Sequence, residues 1–301
     1  MRLAITGGTG FVGSHLIEQA LAAGYPIKAL TRRPQPPQVG LTWVEGALDR
    51  PDSLARLCDG CDAIIHIAGV INGSPREFHN GNVLGTEAML TAAAGAGIRR
   101  FIHISSLAAR EPQLSVYGRS KYESEEPVIA AGNDWTIIRP PAVYGPRDRV
   151  ILDLFRLAKR RLMPLPPAGG RLSLIHVRDL CRLILACLEN EKSFCRTYEP
   201  DDGRSGGWST VEMARAVGRA VGNAVLPLPI PKALLPIGVG IDRLVRGSKA
   251  MLTRDRITYY CHPDWTAAPH SHPPTDLWHA QIPTEEGLRE TARWYRAEGW
   301  L

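Results

Sequence analysis

Eight residues near the start of the chain, Thr6-Gly7-Gly8-Thr9-Gly10-Phe11-Val12-Gly13, restrict the fold more than any other stretch. They follow a short apolar run, Leu3–Thr6, and open an amphipathic pattern over Phe11–Ala23. The glycines fit two overlapping spacings: G-x-x-G-x-x-G through Gly7, Gly10 and Gly13, and G-x-G-x-x-G through Gly8, Gly10 and Gly13. Between a strand and a helix such a run has a physical task at each position. One glycine makes the tight turn, another lets backbone approach a diphosphate, and Gly13 lets the helix pack on the sheet. The helix N-terminus then presents unpaired N–H groups and its positive dipole end to an anion. The expected ligand is a dinucleotide.

The chain downstream repeats the strand–helix alternation. Ile27–Thr31, Ala63–Ile67, Phe101–Ser105 and Thr136–Arg139 read as buried parallel strands. Helical patterns lie between, at Ser53–Leu57, Val83–Ala96 and Ser115–Ala131. Alternation of this kind implies right-handed crossovers and a doubly wound parallel α/β sheet. After Pro146 the texture changes. A Pro/Gly-rich loop, Met163–Gly170, leads to a strand-like run ending at Leu174–Val177 and a helix from Arg178 to about Glu189. We therefore expect a dinucleotide-binding domain over 1–145 plus about 171–198. A smaller, mostly helical substrate lobe takes 146–170 plus 199–301 and ends in Gly287–Gly299.

Charge selects among dinucleotides. In this fold an acidic residue at the end of the second strand binds the adenosine ribose hydroxyls and rejects a 2′-phosphate. Here that strand ends Thr31-Arg32-Arg33, and no acidic residue occurs from Gln19 to Val44. Guanidinium groups match a phosphate with paired hydrogen bonds, so NADP(H) is favoured over NAD(H).

Ser115-Val116-Tyr117-Gly118-Arg119-Ser120-Lys121 opens a helix and places Tyr117 and Lys121 four residues apart, on one face. An ammonium near a phenol is expected to lower a pKa that starts at about 10. Such a tyrosine can pass a proton to or from a substrate oxygen while hydride moves. What reads as the fourth strand ends His103-Ile104-Ser105-Ser106, at the carboxyl edge of the sheet where ligands bind. A hydroxyl there can hold the reacting oxygen.

Taken together these segments resemble the short-chain dehydrogenase/reductase superfamily, in its extended or atypical branch of NAD(P)-dependent epimerase/dehydratase-like proteins. Asp62–Gly69, Asn82–Thr86, Ile138–Pro146, Ile175–Asp179 and Thr291–Tyr295 carry the likeness too, in the family's order and over nearly the whole chain. The resemblance implies a catalytic set of Ser106, Tyr117 and Lys121. It implies cofactor contacts from Gly7, Gly10, Phe11, Val12, Gly13, Arg32, Arg33, Ala47, Leu48, Ala68, Gly69, Ser105, Tyr117 and Lys121. Asn82 would support the active-site helix, and Pro140 and Val143 would flank the nicotinamide. Departures are informative. The family's Gly-Asp after the third strand appears as Gly46-Ala47, which leaves only backbone for an adenine contact. Leu107 and Ala108 stand where sugar-nucleotide dehydratases carry an acidic pair, which disfavours elimination of water. Pro127 is expected to kink or shorten the helix of Tyr117.

Other features carry less. Cys58-Asp59-Gly60-Cys61 is a lone C-x-x-C, read as packing thiols at a helix end. Cys261, His262, His270, His272 and His279 match no metal-ligand spacing, so no metal is expected. His66 and His103 read as core or rim histidines. The net charge of +6 is spread along the chain rather than gathered in an aromatic-studded stripe, so nucleic acid is not indicated. The apolar run Ala233–Ile241 is too short for a membrane span, which needs about 20 residues. It reads as a core helix, with a basic surface helix lying on a membrane left open. The strand at the very start leaves no room for a secretory signal, and a cytoplasmic monomer or homodimer is expected.

The function expected is an NADP(H)-dependent oxidoreductase moving hydride between nicotinamide and a carbonyl or alcohol of a small-molecule substrate. That substrate would lie against Arg139–Pro146 and the segment near Ser173–His176. Two other classes stay open by resemblance. One is a non-catalytic NADPH-binding accessory subunit of a respiratory NADH dehydrogenase, or a redox sensor. The other is an NAD-dependent sugar-nucleotide epimerase.

Overall fold

Short runs of apolar and β-branched residues become strands here because both of their faces are covered. The computed structural model of the protein describes residues 1–231, 234 and 254–301. The run Ala233–Ile241, Leu234 apart, lies outside the described residues. From the N-terminus the chain forms β1 (Leu3–Thr6), α1 (Phe11–Ala22), β2 (Ile27–Thr31), β3 (Leu41–Glu45), α2 (Pro51–Cys58) and β4 (Ala63–His66). It continues through α3 (Pro75–Phe78), a π-helical turn (His79–Leu84), α4 (Gly85–Gly95), β5 (Arg100–Ile104), α5 (Val116–Ala130) and β6 (Asp134–Ile138). Then come β7 (Ala142–Tyr144), α6 (Leu152–Lys159), β8 (Leu162–Leu165), β9 (Arg171–Leu172), β10 (Leu174–His176), α7 (Val177–Cys187) and β11 (Arg196–Tyr198). The remainder is β12 (Trp208–Ser209), α8 (Thr210–Val221), β13 (Leu226–Pro229), a helix at Arg254–Tyr260, β14 (Asp264–Trp265) and a closing helix at Thr284–Ala297.

Contacts divide the chain into two compact units. The first, 1–140 with 177–200 and 269–279, holds a seven-stranded sheet in the order β11-β6-β5-β4-β1-β2-β3. Every neighbouring pair is parallel. This is the doubly wound sheet expected. Successive strands run outward from β1 in one direction through β2 and β3, and in the other from β4 onward. The winding therefore reverses between β1 and β4, and the crevice beyond their carboxyl ends is where such sheets take ligands. β1, β4 and β5 are buried at every residue. Leu54, Leu57, Ile64, Met89, Phe101 and Ile137 form part of the core on one face.

Several boundaries differ from the sequence reading, each for a local reason. β3 has no counterpart among the strands read from the pattern, because Leu41-Thr42-Trp43-Val44-Glu45 lies at the sheet edge with exposed Thr42 and Glu45. The strand ending near Ser105 is consequently the fifth. It begins at Arg100, a charge that breaks the apolar run yet is buried, donating to Leu188 O at 3.0 Å and Thr136 Oγ1 at 2.7 Å. The helix read over Val83–Ala96 is preceded by one turn of π-helix, so α4 starts at Gly85. Pro127 does not end α5 early, since α5 runs to Ala130. The proline stands in the last turn, where its missing N–H costs a single hydrogen bond.

The second unit comprises 141–176, 201–268 and 280–301. Its helices are joined by three small sheets, β10-β7, β12-β9-β14 and β13-β8. The strand-like run ending at Leu174–Val177 contains β10, whereas β8, β9 and β13 are too short or too proline-rich to show a period. Tyr144, Phe155, Trp208, Leu288 and Tyr295 meet in its core, and α8 opens with a Ser209–Glu212 capping box. Among the described residues no helix is long and apolar enough to cross a membrane.

Candidate active site

β1 ends at Thr6 and the chain turns on Gly7, whose φ of +76° only glycine adopts without strain. A side chain at Gly7 would come 2.7 Å from the Ala68 nitrogen, and one at Gly13 would come 2.1 Å from the Gly7 oxygen. The loop is thus folded onto itself and onto the segment after β4. Gly10 caps α1 with its backbone alone, and no acidic residue stands in the first turn. The N–H groups of Phe11, Val12 and Gly13 are left for an outside acceptor, which suits a diphosphate. Gly13→Ala is expected to lower Tm by several degrees and to abolish nicotinamide-nucleotide binding. Calorimetry with cofactor titration checks both, and a variant that binds like the parent would contradict this account of the loop.

Arg32 and Arg33 follow β2 and are both exposed. The Thr31 hydroxyl donates to Arg33 O at 2.6 Å, which fixes the backbone of the turn. Among the described residues neither guanidinium is tied down by an ion pair or hydrogen bond. Ala47 and Leu48 follow β3. The Ala47 amide donates to Ser53 Oγ at 3.3 Å, and Leu48 lies where a side chain on Gly85 would fall, 2.6 Å away.

The residues expected to do chemistry meet at the carboxyl ends of β4 and β5. The Ser115 hydroxyl accepts from Gly118 N at 2.9 Å and starts α5, which places Tyr117 and Lys121 on its buried face. Ser106 accepts from Ala108 N at 3.2 Å, and its hydroxyl stands near enough to the Tyr117 phenol to lower its pKa. Phe78 packs against the Tyr117 ring with centroids 6.0 Å apart. Lys121 is 4% exposed and donates to Ile104 O at 2.8 Å. A side chain at Gly69 would lie 2.9 Å from Asn82 Oδ1 and 3.4 Å from Lys121 Nζ. Only glycine therefore leaves that space open to a ligand. Leu107 N donates to Pro140 O at 2.9 Å, bracing the loop after β5. Val143 belongs to β7 in the second unit.

One electrostatic expectation is corrected. Lys121 was expected to lower the Tyr117 phenol. Instead burial pushes that phenol above its usual value, and the hydrogen bond with Ser106 only partly offsets this. The reason is geometric, because the ammonium is turned to the Ile104 carbonyl. Burial pulls Lys121 itself down to about 8, opposed by Glu125.

Two sets of supporting contacts go beyond the sequence reading, which names Asn82, Ser105 and Arg139 but not their partners. The first runs through His66, which burial, with the Lys121 charge, holds neutral by pulling its pKa down to about 3. Ala68 N donates to Thr6 Oγ1 at 3.2 Å, and Thr6 Oγ1 meets His66 Nδ1 at 2.8 Å. His66 Nε2 meets Thr86 Oγ1 at 3.2 Å, and Thr86 donates to Asn82 O at 2.7 Å. Thr86 has committed its one proton, so it accepts from His66 Nε2–H, and Thr6 donates to the bare Nδ1. Asn82 carries the chain on, donating to Ser120 Oγ at 2.8 Å, while Ser120 donates to Tyr117 O at 2.8 Å. The π-helical turn that displaces Asn82 from a regular helix is what lets it face both Val70 and α5. His103, its ring 5.6 Å from that of His66 in a stacked pair, donates from Nε2 to Ser124 Oγ at 3.0 Å, because Ser124 gives its own proton to Lys121 O at 2.7 Å.

The second set is a chain of buried charge behind Ser105. Ser105 donates to Glu125, which receives Arg139 in a two-pronged pair at 2.9 and 2.6 Å. Arg139 also reaches Glu199 at 3.6 Å, and Arg110 reaches the other Glu199 oxygen at 3.5 Å. Elsewhere Cys58 and Cys61 are buried free thiols, with Cys58 pushed up to about 11 by burial. Among the described residues no His/Cys/Asp/Glu group is arranged to hold a metal ion.

A glycine cradle at the β1–β4 reversal, with a serine near a tyrosine whose helix also carries a buried lysine, is a recognisable constellation. The sequence profile of the NAD dependent epimerase/dehydratase family matches residues 3–198. The chain belongs to that family. It is an NAD(P)-dependent enzyme among reductases, epimerases and dehydratases. A family member named ceramide reductase, from Caulobacter vibrioides, is 36% identical over 99% of this chain and 96% of its own length. A UDP-glucose 4-epimerase from Vibrio cholerae is 28% identical over 75% of this chain and 78% of its own. The fold is shared with MoeE5 in complex with UDP-glucuronic acid and NAD, at a TM-score of 0.75 and 20% identity, covering 99% of this chain and 100% of that one.

Proposed function

We propose that this family member is an NADP(H)-dependent reductase that converts a ketone on a ceramide-class lipid to an alcohol. What carries the chemistry is Ser106 set near the phenol of Tyr117, whose helix also brings Lys121 to the open side of Gly69. A nicotinamide dinucleotide bound in the glycine cradle supplies the hydride. Ser106 and Tyr117 hold the substrate oxygen between their hydroxyls, and Tyr117 gives it the proton that completes the alcohol. A phenol kept protonated by burial suits that role of acid. Lys121, anchored by Ile104 O, lends positive charge to the same corner. The Caulobacter relative supports the lipid class.

Arg32 and Arg33 support the choice of phosphorylated cofactor. Replacing both by Ser is expected to raise the KM for NADPH by about 10- to 100-fold and leave that for NADH nearly unchanged. Steady-state kinetics with each cofactor checks this, and equal effects on both would refute it. The reading as a whole is tested by following nicotinamide oxidation with a keto-ceramide and with UDP-glucose. NADPH-dependent loss of the ketone supports it, whereas interconversion of the UDP-sugar without net oxidation would replace it by epimerisation.

A further inference from the structure

In the second unit β8 and β13 pair in parallel, with Leu226 opposite Leu162 and Leu228 opposite Pro164. Alternation sends Met163 and Leu165 inward, where they are 1% and 7% exposed. The other face carries Leu162, Pro164, Leu226 and Leu228 to the surface, with the three leucines 47%, 59% and 41% exposed. Leu234, a few residues on, is 51% exposed. An apolar sheet face left open in this way marks an interaction surface.

The chemistry around it selects the partner. Lys159, Arg160 and Arg161 stand exposed where α6 runs into β8. No acidic residue occurs between Asp153 and Asp179, or between Glu212 and Asp242, so both strands lie in stretches that carry only positive charge. The ribbon edge is also closed to another strand. Leu226 N and Ile230 N donate inward to Arg161 O and Leu165 O, at 2.9 and 3.0 Å. The alternate positions, which would donate outward, are Pro227, Pro229 and Pro231. An edge without N–H groups offers no ladder to a second copy or to a peptide strand, and leaves no donor unsatisfied against hydrocarbon.

We propose that this ribbon docks on an anionic lipid bilayer, its leucines entering the boundary between headgroups and acyl chains and its basic flank facing lipid phosphates. The inference stands on the ribbon alone and does not depend on the substrate proposed above.

The test is flotation of the whole protein with phosphatidylcholine vesicles, with and without phosphatidylglycerol, at low and high salt. Binding is expected to the anionic vesicles at low salt, and to fall at high salt. Leu226→Ser with Leu228→Ser, and separately Arg160→Ser with Arg161→Asn, should each weaken it by about 10- to 30-fold at unchanged Tm. Asn suits the left-handed backbone at position 161, where φ is +62°. Sedimentation of the same variants covers the other occupants. Absence of parent binding, full binding by both variants, or a leucine variant that only dissociates a dimer would each overturn the proposal. Turnover of soluble substrate should be the same in parent and ribbon variants, which separates failure here from failure of the catalytic reading.

Discussion

Tyr117→Phe is expected to lower kcat by about 100- to 10,000-fold while leaving Tm and NADPH affinity close to those of the parent. The substitution removes one hydroxyl and no packing, because the ring keeps its contact with Phe78. What the proposed mechanism loses is the phenol proton near Ser106. The pH profile adds a second readout. Reduction needs the phenol protonated, and burial raises its pKa, so Tyr117 alone leaves the rate flat through neutrality. Lys121, drawn down to about 8, sheds its charge first as pH rises. The alkaline fall of the reductive rate is therefore expected near that value and not near that of tyrosine. Kinetics of the Phe variant within a few-fold of the parent would remove Tyr117 from the mechanism.

Arg139→Met is expected to cost about 3–5 kcal/mol of stability, because it strands Glu125 in the interior and leaves Glu199 with Arg110 alone. Glu125 and Glu199 are 3% and 2% exposed, and Arg139 is the cation common to both. Denaturant unfolding measures the loss. A cost below about 1 kcal/mol would mean the network behaves as a surface pair. Glu125→Gln on the parent background separates support from stability. The amide keeps the shape and can still accept from Ser105, but no longer opposes the burial that lowers Lys121. Its alkaline limb should move to lower pH, a shift that loss of packing alone would not produce.

Much of the first unit was legible in the sequence, for reasons that are local. The glycine loop is dictated by contacts within a few residues, such as Gly13 against Gly7. β1, β4 and β5 are buried on both faces and so are written as apolar runs. The edge strand β3 escapes the pattern because exposed Thr42 and Glu45 interrupt its apolar run. Strand β5 begins earlier than its apolar run, at Arg100, whose burial is made possible by acceptors 36 and 88 residues away.

The sequence by itself determined the glycine loop, the four-residue spacing of Tyr117 and Lys121, and the positive turn at Arg32 and Arg33. Each of these follows from neighbours in the chain. Only the tertiary structure decided where the Lys121 ammonium points, which way the His66 proton faces, and that Glu125, Arg139 and Glu199 neutralise one another. Those depend on groups brought together from distant strands and helices, where the loss of water, and not sequence spacing, sets the energy of a charge or a proton.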